Sequence, residues 1–399
     1  MENKTPEFPS LVAEGKFITP TALTPQRKPG QDTIPADNLS KYYAGRMDIL
    51  RFVAICSIVW GHSLCSWADK TKYQEDYRIL TLIANQLGRL GTINFFLISG
   101  YFLSKKISGF SLVDYLKYRL PTIILPWLIF LIVLAAIQVL NVYSFHQILT
   151  GNTLQILKYT LQLLNGYIFH AAYWYIPVSI LSALVLILCK KYINKIGFGF
   201  ILLGFTLFYS INLYYNWVSA LHTKAFLGYV FFLWLGVQLY QHKEKFELIL
   251  NKIQWKVLIP LFLLAFTVAC FEAEILSKEH SKDSFSSIRI TNLIVCLLFF
   301  LAVLKSNKLT VLRHLNPRQN VFGIYLVHCI VIVETMPLAN TFIGQHNLIS
   351  NLPVLFLTQI AFFLIIMSVT FVSVWAIHSS PISFILGRSK SRLAKQQNP

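Results

Sequence analysis

The sequence predicts an all-α, polytopic membrane protein of about ten transmembrane helices with its N- and C-termini in the cytoplasm. Three observations predict it. Of 399 residues, 55% are hydrophobic and only 13% charged, with a mean hydropathy of +0.57; a soluble globular chain carries about 25% charged residues. The apolar residues gather in runs near 49–67, 79–104, 120–142, 173–189, 196–213, 224–241, 257–275, 288–305, 320–340 and 352–378, most about as long as a bilayer core demands. With the N-terminus inside and the runs alternating, 25 of the 35 Lys and Arg fall in cytoplasmic segments and 7 in outer loops. This is the asymmetry that orients membrane proteins. It explains the net charge of +18 as topology and contact with anionic lipid, and no nucleic-acid partner is expected.

Residues 1–45 are rich in Pro, Thr, Lys and Gln and lack an apolar stretch. They are expected to be a disordered cytoplasmic tail rather than a cleavable signal, so the first span inserts the chain. That span opens with Asp48 and Arg51 and carries His62. The second holds Arg89 and Asn94. Lys117 and Arg119 form a basic entrance to the third. The longest outer loop, 143–172, has about 30 residues and leads to Trp174 and Tyr175 at the outer end of the fourth span. The ninth carries His328 and Glu334, the only carboxylate deep in a span. Residues 46–387 read as one membrane domain and 388–399 as a basic cytoplasmic tail. The six cysteines are scattered, with no CxxC pair or Cys/His cluster. They read as small apolar side chains, and neither disulfides nor a metal is expected.

Arg51 and His62 are the most informative pair. Eleven residues at about 100° each return nearly to the starting azimuth, so both share one helix face about 16 Å apart along the axis. Arg51 then faces the cytoplasm, with Asp48 three residues earlier able to pair with it, and His62 lies past the midplane. Taken singly, Arg51 reads as a snorkelling cation and His62 as an interhelical hydrogen-bonding group. Together they suit a charged carrier held at the surface while chemistry proceeds deeper in.

Five stretches, in order, resemble the acyltransferase-3 family of integral membrane acyltransferases. They are Asp48-Ile-Leu-Arg51 with His62, Arg89 to Phe95-Phe96-Leu-Ile-Ser99-Gly100-Tyr101, Tyr115-Leu-Lys117-Tyr-Arg119-Leu-Pro121, Tyr173-Trp174-Tyr175-Ile-Pro177, and Phe322-Gly-Ile-Tyr325-Leu-Val-His328. The ten-helix topology is similar as well. One departure is Ile93, where many members carry Asp, Glu or Pro; Asn94 follows it.

The resemblance implies transfer of an acyl group, usually acetyl, from cytoplasmic acyl-CoA to a hydroxyl of a cell-envelope or surface glycan, in a bacterial inner membrane. Arg51, Lys117 and Arg119 suit the phosphates of coenzyme A. Acetyl-CoA is then a co-substrate, and no metal is required. His62 suits general-base chemistry or a covalent acyl relay. Depth arithmetic puts Arg89 and Glu334 level with His62, about 20 Å from the cytoplasmic surface. It suggests an oxyanion or acceptor contact for Arg89 and an orienting one for Glu334; a structural Arg–Glu pair is the alternative. Asn94, Trp174, Tyr175 and His328 are candidate substrate contacts, although Trp174 and Tyr175 equally fit an aromatic belt. A transporter or flippase for a lipid-linked saccharide is the competing reading. The sequence is silent on oligomeric state.

Overall fold

The computed structural model describes residues 36–64, 75–143, 153–169, 171–278, 281, 283–346 and 351–387. The expected disordered tail lies almost wholly outside them, as does the basic tail 388–399. The chain divides into a unit Met1–Tyr42, described only for its helical backbone from Ala36, and a unit Tyr43–Pro399 that holds everything below.

Among the described residues there are helices and turns and no strand. In chain order the α-helices are α1 (Ala36–His62), α2 (Glu75–Leu87), α3 (Leu90–Ser104), α4 (Leu112–Arg119), α5 (Leu125–Val142), α6 (Thr153–Phe169), α7 (Tyr175–Leu188), α8 (Ile196–Tyr215), α9 (Leu227–Gln241), α10 (Lys243–Lys252), α11 (Trp255–Lys278), α12 (Ile290–Lys305), α13 (Pro317–Gln345) and α14 (Leu352–Ser379). Among the described residues every one of the ten apolar runs is mainly helix. Five stretches among the described residues are long and apolar enough to cross a bilayer by themselves: Leu112–Val142, α8, α11, α13 and α14. A sixth follows if α12 and the short helix Lys308–Leu315, which meet at 88°, are one span. Helices α3, α7 and α9 have only 15, 14 and 15 residues, so each rises about 21–23 Å. A count of ten crossings therefore rests on the charge asymmetry, not on helix length. The expected outer loop 143–172 is in large part helix α6.

Two breaks shape the interior. Between α4 and α5 the backbone takes a π-turn over Leu120–Ile124, closed by the Leu125 amide on the Leu120 carbonyl. Pro126, which has no amide hydrogen to donate, follows at once and explains the slipped register. The second break splits the second apolar run at Gly88–Arg89. The carbonyls it frees are taken by side chains: Trp60 Nε1 donates to Ala84 O at 2.8 Å, Ser57 Oγ to Leu87 O at 2.6 Å and Cys296 Sγ to Arg89 O at 3.4 Å. The glycine makes the crossing possible: a Cβ on Gly88 would stand 2.5 Å from Gly61 Cα, and one on Gly61 2.9 Å from Gly88 Cα. Hence α1 and the break touch backbone to backbone.

The main hydrophobic cluster joins Phe52, Ile55, Val59 and Trp60 of α1 to Trp127, Phe130 and Leu131 of α5, Val321, Ile324 and Tyr325 of α13, and Leu355, Phe362 and Ile366 of α14. Two polar groups depart from their bland sequence readings. Arg289, which reads as an interface anchor, is wholly buried. Glu272, which reads as solvated, is buried and accepts from the Thr291 amide and hydroxyl and from Tyr214 Oη. The described cysteines 56, 189, 270, 296 and 329 are free; Cys65 lies outside the described residues.

Candidate active site

A cavity of about 390 Å³ opens among α1, α3, α4, α7 and α13. Its basic wall is Arg51, Arg119 and Arg318. Arg51 is half-buried, pairs with Asp48 at 3.2 Å and lies over the Phe102 ring at 4.8 Å. Arg119 sits over Tyr115 and Tyr118 at 5.2 and 5.6 Å. Its buried Nε has no hydrogen-bond partner among the described residues. Such a group has lost its water without replacement, which is costly unless a ligand supplies the acceptor. Three guanidiniums with spare donors fit a polyanionic carrier.

The helical register explains which basic residues gather here. Tyr115, Tyr118, Arg119 and Thr122 follow one face of α4 and its π-turn into the cavity wall, whereas Lys117 falls on the exposed face. Arg318 reads in the sequence as one more cytoplasmic charge. The signal that could have singled it out is spacing. Arg318 precedes His328 on α13 by ten residues, as Arg51 precedes His62 on α1 by eleven.

The opposite end of the cavity is lined by Ile58, Phe95, Ser99, Tyr175 and Tyr325. Tyr175 Oη lies 2.9 Å from Ser99 Oγ and 3.2 Å from Phe95 O. Ile58 is one turn before His62 and Tyr325 one turn before His328, so the two histidines stand just beyond this wall. Their ring centroids are 5.8 Å apart. His328 is wholly buried, and its Nδ1 lies 2.8 Å from Tyr325 O and 3.1 Å from Ile324 O. The carbonyls can only accept, so Nδ1 carries the proton and Nε2 keeps its lone pair. His62 is exposed at the end of α1, and its ring has no hydrogen-bond partner among the described residues. The titratable groups within its electrostatic reach are His328, Arg89 and His222.

Arg89 caps the start of α3 at the break, half-buried, with no hydrogen bond or ion pair to its guanidinium among the described residues. His222, which sequence reasoning passed over, lies in the connection between α8 and α9. Its Nδ1 is 2.6 Å from Tyr229 Oη, whose oxygen is 3.0 Å from Ser287 Oγ, and its Nε2 is 3.8 Å from Asp283. It stacks on Trp174 with centroids 4.0 Å apart. Burial holds its pKa down at about 4, against the pull of Asp283. Trp174 is only 8% exposed, with one ring face already occupied.

Two expected members are placed elsewhere. Glu334 is exposed and accepts from Asn141 Nδ2 at 2.9 Å. It follows His328 by six residues, about 240° around α13, so equal depth does not bring it to His62. Asn94 is buried, and its Nδ2 donates to Leu90 O at 2.6 Å and Cys296 O at 3.3 Å, toward α12. Among the described residues no group of His, Cys, Asp and Glu could hold a metal ion.

The arrangement is a basic chamber whose chemistry suits a charged carrier, near an exposed imidazole and a guanidinium that is unpaired among the described residues. Residues 45–379 match the acyltransferase-domain profile of the acyltransferase-3 family. The chain belongs to this family. The match takes in the arginines and histidines of the site and most of the chain, so the protein is a membrane acyltransferase. No curated protein and no solved structure matches the chain.

Proposed function

We propose that this acyltransferase is an O-acetyltransferase of the bacterial inner membrane. It carries acetyl from cytoplasmic acetyl-CoA to a hydroxyl of a cell-envelope or surface glycan. One observation carries the reading: Arg51, Arg119 and Arg318 wall a chamber that is also lined by Ile58 and Tyr325, one turn before His62 and His328 respectively, whose ring centroids stand 5.8 Å apart. The guanidiniums hold the phosphates, with Asp48 fixing Arg51 and exposed Lys117 steering the donor from the cytoplasm. The acyl-bearing arm passes Tyr175 and Ser99 toward His62. The asymmetry of 25 to 7 basic residues supports this direction, with ten crossings and both ends inside.

The His62 imidazole takes the proton of the acceptor hydroxyl as its oxygen attacks the thioester carbon. Negative charge grows on the carbonyl oxygen, and Arg89, the arginine within electrostatic reach of His62 among the described residues, stabilises it. Collapse breaks the C–S bond, and the departing thiolate recovers the proton from His62. In the alternative order His62 itself accepts the acetyl and passes it on; acid quenching before the first turnover separates the two. A transporter of lipid-linked saccharide has less support, because the family chemistry is acyl transfer. The test is mass spectrometry of envelope glycans from cells with and without the protein. The reading expects an acetyl-sized mass difference that His62→Ala abolishes. Identical glycans in all three strains overturn it.

A further inference from the structure

The second helical run breaks at Gly88–Arg89, and beneath the break lies a chain of buried polar groups. Arg289 is wholly buried and forms no ion pair among the described residues. Its Nη1 donates to Ala269 O at 2.6 Å, its Nε to Ser286 O at 3.2 Å and its Nη2 to Gln86 Oε1 at 2.6 Å. Gln86 is buried in turn and donates through Nε2 to Asn292 Oδ1 at 2.8 Å, and Asn292 donates to Ser287 O at 2.8 Å. Every bond in this chain has the geometry of a strong one. A charge buried on neutral acceptors is costly to a fold, and here it secures a single side chain on the outer half of the broken span.

That side chain is Gln86, and its own carbonyl receives the Arg89 amide at 3.0 Å. The next link is Cys296, whose thiol donates to the Arg89 carbonyl. Both ends of the Arg89 peptide are therefore tied to the Gln86–Arg289–Asn292 cluster and to α12, while its guanidinium is left without a partner among the described residues. The nearby Arg289 charge, within electrostatic reach of Arg89, disfavours any rotamer that folds the Arg89 guanidinium back into the bundle.

We propose that Gln86 and Arg289 are positioning residues for the transfer reaction: they fix the helix break so that Arg89 points at the reacting centre beside His62. This rests on the part given to Arg89 above. Its chemistry is held by an element with no contact to substrate, so its loss lowers turnover and leaves donor affinity alone.

The test is a double-mutant cycle on the purified protein, reading kcat and KM for acetyl-CoA. Gln86→Leu in wild type should lower kcat about tenfold with KM within twofold, since a misplacement of about 1 Å costs up to 100-fold. In an Arg89→Ala background the same change should cost less than twofold, because no cation remains to be aimed. Gln86→Glu, which keeps an oxygen on Arg289, should recover at least half of the wild-type rate, and Asn292→Ala, which removes the acceptor of Gln86 Nε2, supplies the loss if Gln86→Leu does not fold. An equal fold-loss in both backgrounds overturns the positioning role while leaving Arg89 in the mechanism. Wild-type kcat in Arg89→Lys and Arg89→Ala alone removes Arg89, and with it the positioning role.

Discussion

Gly88→Ala tests whether the backbone contact at the helix break sets the reacting geometry. The added Cβ would lie 2.5 Å from Gly61 Cα, where ordinary contacts begin at 3.4 Å. Neither partner is a flexible side chain, so α1 and the break must part by about 1 Å. Each glycine immediately precedes a site residue, Gly61 before His62 and Gly88 before Arg89. The separation is thus delivered straight to the pair. Overpacking of this kind costs about 1–3 kcal/mol of stability, and misalignment of about 1 Å lowers a positioned reaction by about 100-fold. Purified Gly88→Ala should therefore remain helical in detergent, melt earlier, and transfer acetyl at about one hundredth of the wild-type rate. Gly204→Ala is the matched control, since a Cβ there meets nothing within 4 Å; it should keep its activity and gain up to about 1 kcal/mol. Gly88→Ala with activity within twofold of wild type refutes the claim that this contact sets the site.

Other outcomes follow from the same geometry. Arg318→Gln should raise KM for acetyl-CoA about 10- to 100-fold, the value of a charged hydrogen bond of about 1.5–3 kcal/mol, while Lys117→Gln on the exposed face shifts it less than threefold; donor titrations of both variants check this. Glu334→Gln should transfer within twofold of wild type, because the amide keeps the bond to Asn141; a collapse of kcat would put the carboxylate back beside His62. His222 has a folded-state pKa of about 4 against about 6.5 unfolded. The unfolded chain therefore takes up the proton first, and stability is present above pH 6.5 and lost as pH falls toward 4, by about 2 kcal/mol at pH 5. Thermal unfolding at pH 7 and pH 5 should show this loss in wild type and a smaller one in His222→Gln.

The helical class, the apolar runs and the placing of Arg51 and His62 on one helix were legible because they depend on composition and on a period within one helix. What was not legible depends on packing between helices. Depth arithmetic placed Glu334 level with His62, but height along an axis says nothing of azimuth, and α13 turns that carboxylate toward Asn141. Lys117 and Arg119 looked equivalent as charges near a membrane surface; two residues of helix put them on different faces. Gly88 carries no signal of its own in the sequence, and only the facing Gly61 gives it meaning. Arg289 looked like an interfacial anchor because nothing local announces Gln86, more than 200 residues away in sequence, as its acceptor.

The most direct test of the account is acetyl transfer from acetyl-CoA by the purified protein and its His62→Ala variant in detergent, with donor hydrolysis measured alongside. A positioned base contributes about 100- to 10,000-fold, so the variant should lose transfer by at least 100-fold while KM for acetyl-CoA, held by Arg51, Arg119 and Arg318, stays within about threefold. Equal transfer and equal hydrolysis by the two proteins would contradict the central claim that His62 is where the acyl group meets its acceptor.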